Sequence, residues 1–316
     1  MNSAENTSVK WAGVMPAVTT PFTDDDEVDY AFLSEHCSWL VQHGASGIIP
    51  CGSLGEGATL SFDEKQRVID TVVRAVDDRV PVIPGIAAAS TREAARLAAT
   101  AKVMGARGLM VLPPYIHKGP FHEIEAHVEV VMEATDLPCM LYNNPIAYGV
   151  DFPPGWIADL AERSEKLQAV KDSSGDARRI TAVRSLVGDR LALFAGLDDM
   201  VVEAVRQGAV GWIAGLVNAL PWESVLLFEK ALQGLSDPAA AHEADQIYKW
   251  FLPLLRLDCV PEFVQLIKLV QKEVGKGTET VRSPRYPAAG ALRAGALEVI
   301  RETLATNPIQ GMEENR

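Results

Sequence analysis

Basic charge is in short supply in this chain. Its 29 Lys and Arg residues stand against 42 Asp and Glu, leaving a net charge of −13 over 316 residues. That deficit argues against nucleic acid and anionic membrane surfaces as partners. An anionic substrate would have to be captured by local donors against the overall field. Cysteine is scarce as well. Cys37, Cys51, Cys139 and Cys259 are far apart and form no C-x-x-C, a pattern that fits buried thiols in a reducing cytoplasm and not a disulfide framework or a zinc site. Long hydrophobic runs are missing. The longest uncharged apolar stretch, 209–222, contains Asn218 and Pro221 and falls short of the ~20 residues that cross a bilayer. The opening MNSAENTSVKWAG lacks the apolar core of a secretory leader, so a cytoplasmic protein is expected.

Several motifs are absent too. No G-x-G-x-x-G follows the first strand-like run, which disfavours a doubly wound dinucleotide fold. No Gly-Lys-Ser/Thr follows the glycines near residue 52, so they are not a P-loop. Cys51 stands where a G-x-S-x-G nucleophile elbow needs glycine. There is no H-E-x-x-H, and His117, His122 and His127, five apart, do not stack on one helical face. No metal site is expected. The acidic run 24–27 reads as a solvated loop.

What is present is a rhythm. Short apolar or β-branched runs at 13–19, 47–51, 80–85, 108–112, 139–143, 167–171, 191–196 and 211–214 alternate with helical patterns. Ser61 and Glu64 have the spacing of a capping box at the start of one helix. Alternating strands and helices pair in parallel, and eight strands with seven intervening helices predict an α/β fold, a (β/α)8 TIM barrel. The domain plan is a loosely packed N-terminus over 1–10, the barrel over 11–220, a C-terminal helical cap over 221–309 and a frayed tail over 310–316. Three further helices are expected in the cap, at 222–235, 239–257 and 261–274. No Pro/Gly/Ser-rich linker separates them from the barrel, so they form an extension of it.

Barrel chemistry sits at the C-terminal strand ends. Lys171 follows Ala169 and Val170 in a run that should be buried. An unpaired lysine there is costly, and a neutral amine is a nucleophile able to form a Schiff base with a 2-oxo acid. Position alone leaves another reading, a lysine snorkelling to solvent or pairing with Asp172. Tyr142, at the end of the fifth run, is either a core tyrosine with a tied hydroxyl or a proton carrier. The turn CGSLGEGATLS, 51–61, allows a ligand close approach to the backbone. Its amides at Ser53 and Leu54 could bind a carboxylate, or the turn could simply join a strand to a helix.

Taken together these residues resemble the dihydrodipicolinate synthase / N-acetylneuraminate lyase superfamily of class I Schiff-base enzymes, over about 11–297. Gly52-Ser53-Leu54-Gly55-Glu56 is similar to the family's G-[TS]-T-G-E, Tyr142-Asn143-x-Pro145 to its Y-N-x-P, and Lys171 to its strand-six lysine. The resemblance implies a catalytic set of Lys171, Tyr142, Ser53 and Tyr115, with Ser53 coupling Tyr142 to a Tyr115 from a neighbouring subunit. It also implies a homotetramer built as a dimer of dimers, a small 2-oxo or 2-imino acid as substrate, and a covalent imine on Lys171 with no separate cofactor. The expected substrate-binding residues are Gly52, Ser53, Leu54, Gly196, Asp198 and Ile213, with Asp198 and Asp199 available to substrate hydroxyls.

Two positions depart from the synthase pattern. Leu54 replaces a threonine, and Ala147 stands where synthases carry an arginine that binds the aldehyde's carboxylate. With those changes, CGSLGEGATLS and MLYNNPIAYG are most similar to the Δ1-pyrroline-4-hydroxy-2-carboxylate deaminase branch. The implied reaction is dehydration and deamination to 2,5-dioxopentanoate. Synthase-like condensation and pyruvate-dependent aldol chemistry are the alternatives on the same lysine.

Overall fold

Glycine and proline bracket short apolar runs in this chain, and the strands they leave are correspondingly short. The computed structural model describes residues 9–309. The barrel part runs β1 (Gly13–Pro16), α1 (Tyr30–Gln42), α2 (Phe62–Val76), β2 (Gly85–Ile86), α3 (Thr91–Val103), β3 (Leu109–Val111), α4 (Phe121–Glu133) and β4 (Cys139–Asn143). It continues with α5 (Pro145–Tyr148), α6 (Pro154–Arg163), β5 (Leu167–Asp172), α7 (Arg178–Val187), β6 (Ala192–Ala195), α8 (Val201–Arg206) and β7 (Gly211–Ala214). All strand pairs are parallel, in the order β1-β7-β6-β5-β4-β3-β2. Helices cover the outer face of such a sheet and inward side chains of the strands fill the other, which is why all of β4 is buried.

Among the described residues the eight regular strands expected are seven. The run 47–51 forms only isolated bridges, Ile49 with Ala17 and Ile48 with Val82. Its backbone still bonds both edges: Ile49 N donates to Pro16 O, and Ile83 N donates to Ile48 O. Prolines explain the shortening. Pro50, Pro81 and Pro84 have no N–H for a ladder, so of the run 80–85 only Gly85 belongs to a regular strand, the two-residue β2 that ends at Ile86. Seven strands and one bridged segment stand where eight strands were expected. The Ser61 capping box is present, with Glu64 N donating to Ser61 Oγ and Ser61 N to Glu64 Oε2.

One irregularity positions the chemistry. Cys139 pairs with Leu167 but Met140 pairs with Ala169, so Gln168 is an extra residue in β5. Gln168 accepts a hydrogen bond from Trp11 Nε1 at 3.0 Å. After this bulge Tyr142 lies opposite Lys171, and residues in register on neighbouring strands face the same side.

Among the described residues the C-terminal extension holds four α-helices and not the three expected: α9 (Pro221–Gln233), α10 (Pro238–Leu255), α11 (Phe263–Glu273) and α12 (Gly290–Ala305). The last begins with glycine and carries Gly295 inside, both poor helix formers. Only Ala296, Ile300 and Thr303 of it are buried, a stripe too narrow to stand out in the sequence. Of the termini expected to be loose, residues 1–8 and 310–316 lie outside the described residues, while Val9 is buried in the core.

Candidate active site

The strand-end turn at 51–57 is held by tight backbone packing. Cys51 and Glu56 have φ of 60° and 52°, strained values for side chains other than glycine. A Cβ on Gly57 would lie 2.2 Å from Cys51 O, so only glycine fits there. Glu56 is the anchor. It is 1% exposed and pairs at 2.6 Å with Lys268 Nζ from α11, which also donates to Thr20 O and Thr280 O. Arg282 N donates to its other oxygen at 3.1 Å. The motif's glutamate therefore ties the turn to the C-terminal extension. The amides of Ser53 and Leu54 have no partner in the chain among the described residues, and both residues line a cavity of about 490 Å³.

Lys171 lines the same cavity, 5% exposed. Both structural explanations of this lysine fail. It does not reach solvent, and the Asp172 carboxylate is committed elsewhere, accepting from Asn143 Nδ2 at 2.8 Å and from Ser174 N and Oγ. Among the described residues Lys171 Nζ makes no hydrogen bond or ion pair. It sits 4.0 Å from the centroid of the Tyr142 ring, a cation–π distance that also brings amine and phenol together.

The tyrosine hydroxyls are arranged differently from the expected relay. Ser53 Oγ bonds the hydroxyl of Tyr148, and Tyr142 OH accepts from Asn144 Nδ2 at 2.9 Å. Tyr148 lies between the other two tyrosines, its ring 5.8 Å from Tyr142 edge-on and 5.8 Å from Tyr115. So Ser53 meets Tyr148, not Tyr142 or Tyr115, and Tyr115 lines the cavity of its own chain. Burial pushes the Tyr115 phenol up to about 12 and the Tyr148 phenol well above its ordinary value, which keeps both protonated as donors. Tyr148 and Asn144 are site residues that sequence reasoning missed. Asn144 also caps α5, accepting from Ala147 N, and this cap after β4 was the signal available for it.

Gly52, Leu54, Gly196 and Ile213 line the cavity as expected, and Ala147 is on its wall. Asp198 does not line it. Its oxygens accept from Trp212 Nε1 at 2.9 Å, Gly215 N at 3.1 Å and Leu216 N at 2.7 Å, so it organises the turn after β7 and offers nothing to a substrate hydroxyl. Burial raises its carboxyl to about 6, although those donors and Lys171 oppose the shift. A second correction concerns positive charge. Ala147 removes one cation, but Arg285 lines the cavity, 3.8 Å from Glu56 Oε2. Among the described residues no group of three or more His, Cys, Asp or Glu is placed to hold a metal, and no helix is long and apolar enough to cross a membrane.

A parallel α/β sheet that presents a buried lysine and converging phenols at its C-terminal edge has the architecture of an enzyme working through a lysine imine. The chain belongs to the dihydrodipicolinate synthetase family, whose profile it matches over residues 10–301, and it is a lyase of that family. It is 32% identical over 294 residues to the 4-hydroxy-tetrahydrodipicolinate synthase of Geotalea uraniireducens, covering 92% of this chain and 98% of that protein. Among solved structures, dihydrodipicolinate synthase from Aquifex aeolicus superposes with a TM-score of 0.87 at 27% identity, covering 95% of this chain and 100% of that one. YagE, a prophage protein of E. coli K12 in complex with pyruvate, gives 0.86 at 26% identity, covering 94% and 99%.

Proposed function

We propose that Lys171 forms an imine with C2 of a small 2-oxo or 2-imino acid. We further propose that its substrate is the cyclic imine Δ1-pyrroline-4-hydroxy-2-carboxylate, which the enzyme dehydrates and deaminates to 2,5-dioxopentanoate and ammonia. One observation carries the reading: a buried amine without a carboxylate partner, 4.0 Å from a phenol ring. The free amine adds to C2 and displaces the ring nitrogen by transimination. The substrate carboxylate rests on the unpartnered amides of Ser53 and Leu54. The imine is itself the electron sink that acidifies C3, so this route uses no further cofactor. Tyr142 carries the C3 proton, and the enamine expels the C4 hydroxyl. A C5 proton then moves to C3 and an amine N–H proton to C4, which turns the C5 amine into an imine, and hydrolysis of that imine and of the lysine imine frees ammonia and product. The apolar Leu54 and Ala147 walls suit a compact ring with a single carboxylate. A homotetramer is part of this reading, to be checked by light scattering.

Condensation of pyruvate with an aldehyde is the second reading. Two observations favour it: the synthase names of the relatives and the Arg285 guanidinium on the cavity wall, a cation of the kind that seats a second carboxylate. Borohydride with pyruvate is expected to trap an adduct on Lys171, seen by peptide mass, and Lys171→Ala to abolish it. An adduct elsewhere overturns the imine assignment. Ammonia release from the hydroxypyrroline and dihydrodipicolinate formation are then compared at equal substrate. Faster condensation replaces the first reading with the second.

A further inference from the structure

The C-terminal extension places one carboxyl in the cavity that no part of the mechanism above uses. Asp258 ends a short turn, Arg256–Asp258, between α10 and α11, and lines the cavity with Lys171. Its Oδ1 is sealed from solvent and has no hydrogen-bond partner. The carboxyl lies flat against the backbone after β7. A Cβ on Gly215 would come within 2.0 Å of Oδ1 and 2.4 Å of Cγ, so the absence of a side chain at 215 makes room for it. Gly215 N is taken by Asp198, so the nearest backbone donor is spent on the neighbouring acid.

Asp258 as a whole is half-buried, but a sealed, unpaired carboxylate oxygen is expensive, and the ordinary remedy is a partner. Here the partners are missing and the neighbours are acids. Asp198 lies behind Gly215, and Asp199 accepts from Cys259 Sγ at 3.0 Å. Among the described residues Lys171 is the cation that acts on it. Burial comes first, then Asp198, and together they push the Asp258 carboxyl well above the usual range, with Lys171 opposing. A carboxyl whose proton is held more tightly in this way is suited to donate it to a leaving group.

We propose that Asp258 is the catalytic acid that protonates the hydroxyl leaving from C4 of the Lys171-bound substrate. This rests on the dehydrating reading above. In the step, the C3–H bond has already given its proton to Tyr142, leaving the enamine. The enamine electrons form the C3–C4 double bond as the C4–O bond breaks. The oxygen leaves as water with the Asp258 proton, and before the next turnover Tyr142 passes the C3 proton on to solvent while the Asp258 carboxylate takes one back. No electrons are gained or lost overall.

The test uses Asp258→Asn, which keeps the shape and removes the acid. Trapping of pyruvate on Lys171 by borohydride reports an intact nucleophile. With the hydroxypyrroline, kcat is expected to fall by about 10²–10⁴-fold, the usual contribution of a positioned acid. With the 4-chloro analogue, whose leaving group needs no proton, the variant is expected to stay within a few-fold of wild type. A variant with wild-type kcat on the hydroxy substrate, or one that loses both substrates equally while still trapping pyruvate, overturns the role of Asp258. A wild-type enzyme that traps pyruvate yet releases no ammonia from the hydroxypyrroline overturns the dehydrating reading and this step with it.

Discussion

Lys171 and Tyr142 face each other because they occupy the same rung of adjacent strands, and their chemistry can be separated by substitution. Tyr142→Phe removes the hydroxyl and leaves the ring against the lysine. Its kcat is expected to fall by about 10²–10⁴-fold, while borohydride still traps pyruvate on Lys171. An unchanged kcat would return Tyr142 to a packing role. Position alone left each of them with a packing reading beside the chemical one, and it was the resemblance of their motifs that singled them out. Tyr148 was not legible. Its hydroxyl reaches Ser53 across 95 positions, and no local pattern encodes a contact between two loops. Asp198 misled for a related reason. An acid beside a strand end looks available to ligand until the Trp212 indole and two backbone amides are seen to occupy it.

The turn 51–57 is the element whose sequence signal was strongest and whose glutamate was least understood. Glu56 and Lys268 are both almost fully buried, and burial lowers the Lys268 ammonium from its ordinary value despite the opposing pull of Glu56. Breaking a buried pair from one side leaves an uncompensated charge and costs about 3–5 kcal/mol. Lys268→Met is therefore expected to lower the urea midpoint sharply. A double variant, Glu56→Leu with Lys268→Met, is expected to recover part of the loss, since an apolar replacement of both charges is often neutral. Equal midpoints for wild type and Lys268→Met would remove the anchor role. The Ser61 capping box marked the start of α2, but the strands depended on hydrogen bonding between distant segments. Proline in 80–85 and at 50 cut ladders that composition alone had suggested, and the glycines of α12 hid a helix that tertiary packing supports.

Acid sensitivity belongs to the molecule as a whole, because His36 links α1 to two remote parts of it. It sits 3.4 Å from Asn218 Oδ1 and 3.4 Å from Gln271 Nε2, and burial lowers it to about 4 from an ordinary 6.5. The unfolded chain takes up a proton below about 6.5, which the folded one refuses until about 4. Stability tied to this site is complete above 6.5 and is lost as pH falls through that window. The loss is about 3 kcal/mol, from 2.5 pKa units. Asp198, raised to about 6, acts in the opposite direction over much of the same range, so the comparison has to be differential. His36→Gln is expected to show a flatter decline in urea midpoint than wild type between pH 7 and 4.5. Parallel declines would contradict the assignment. The tie between Glu56 and Lys268 has a further consequence, in the order of synthesis. The ribosome delivers the glutamate first and its partner 212 residues later, and β1 likewise waits for β7. A carboxylate cannot be sealed from water without its counter-charge, so the turn stays open in every nascent chain that lacks α11. Protease applied to stalled chains is expected to cut within 51–57 until Lys268 has emerged, and the cavity is among the last parts of the molecule to be made.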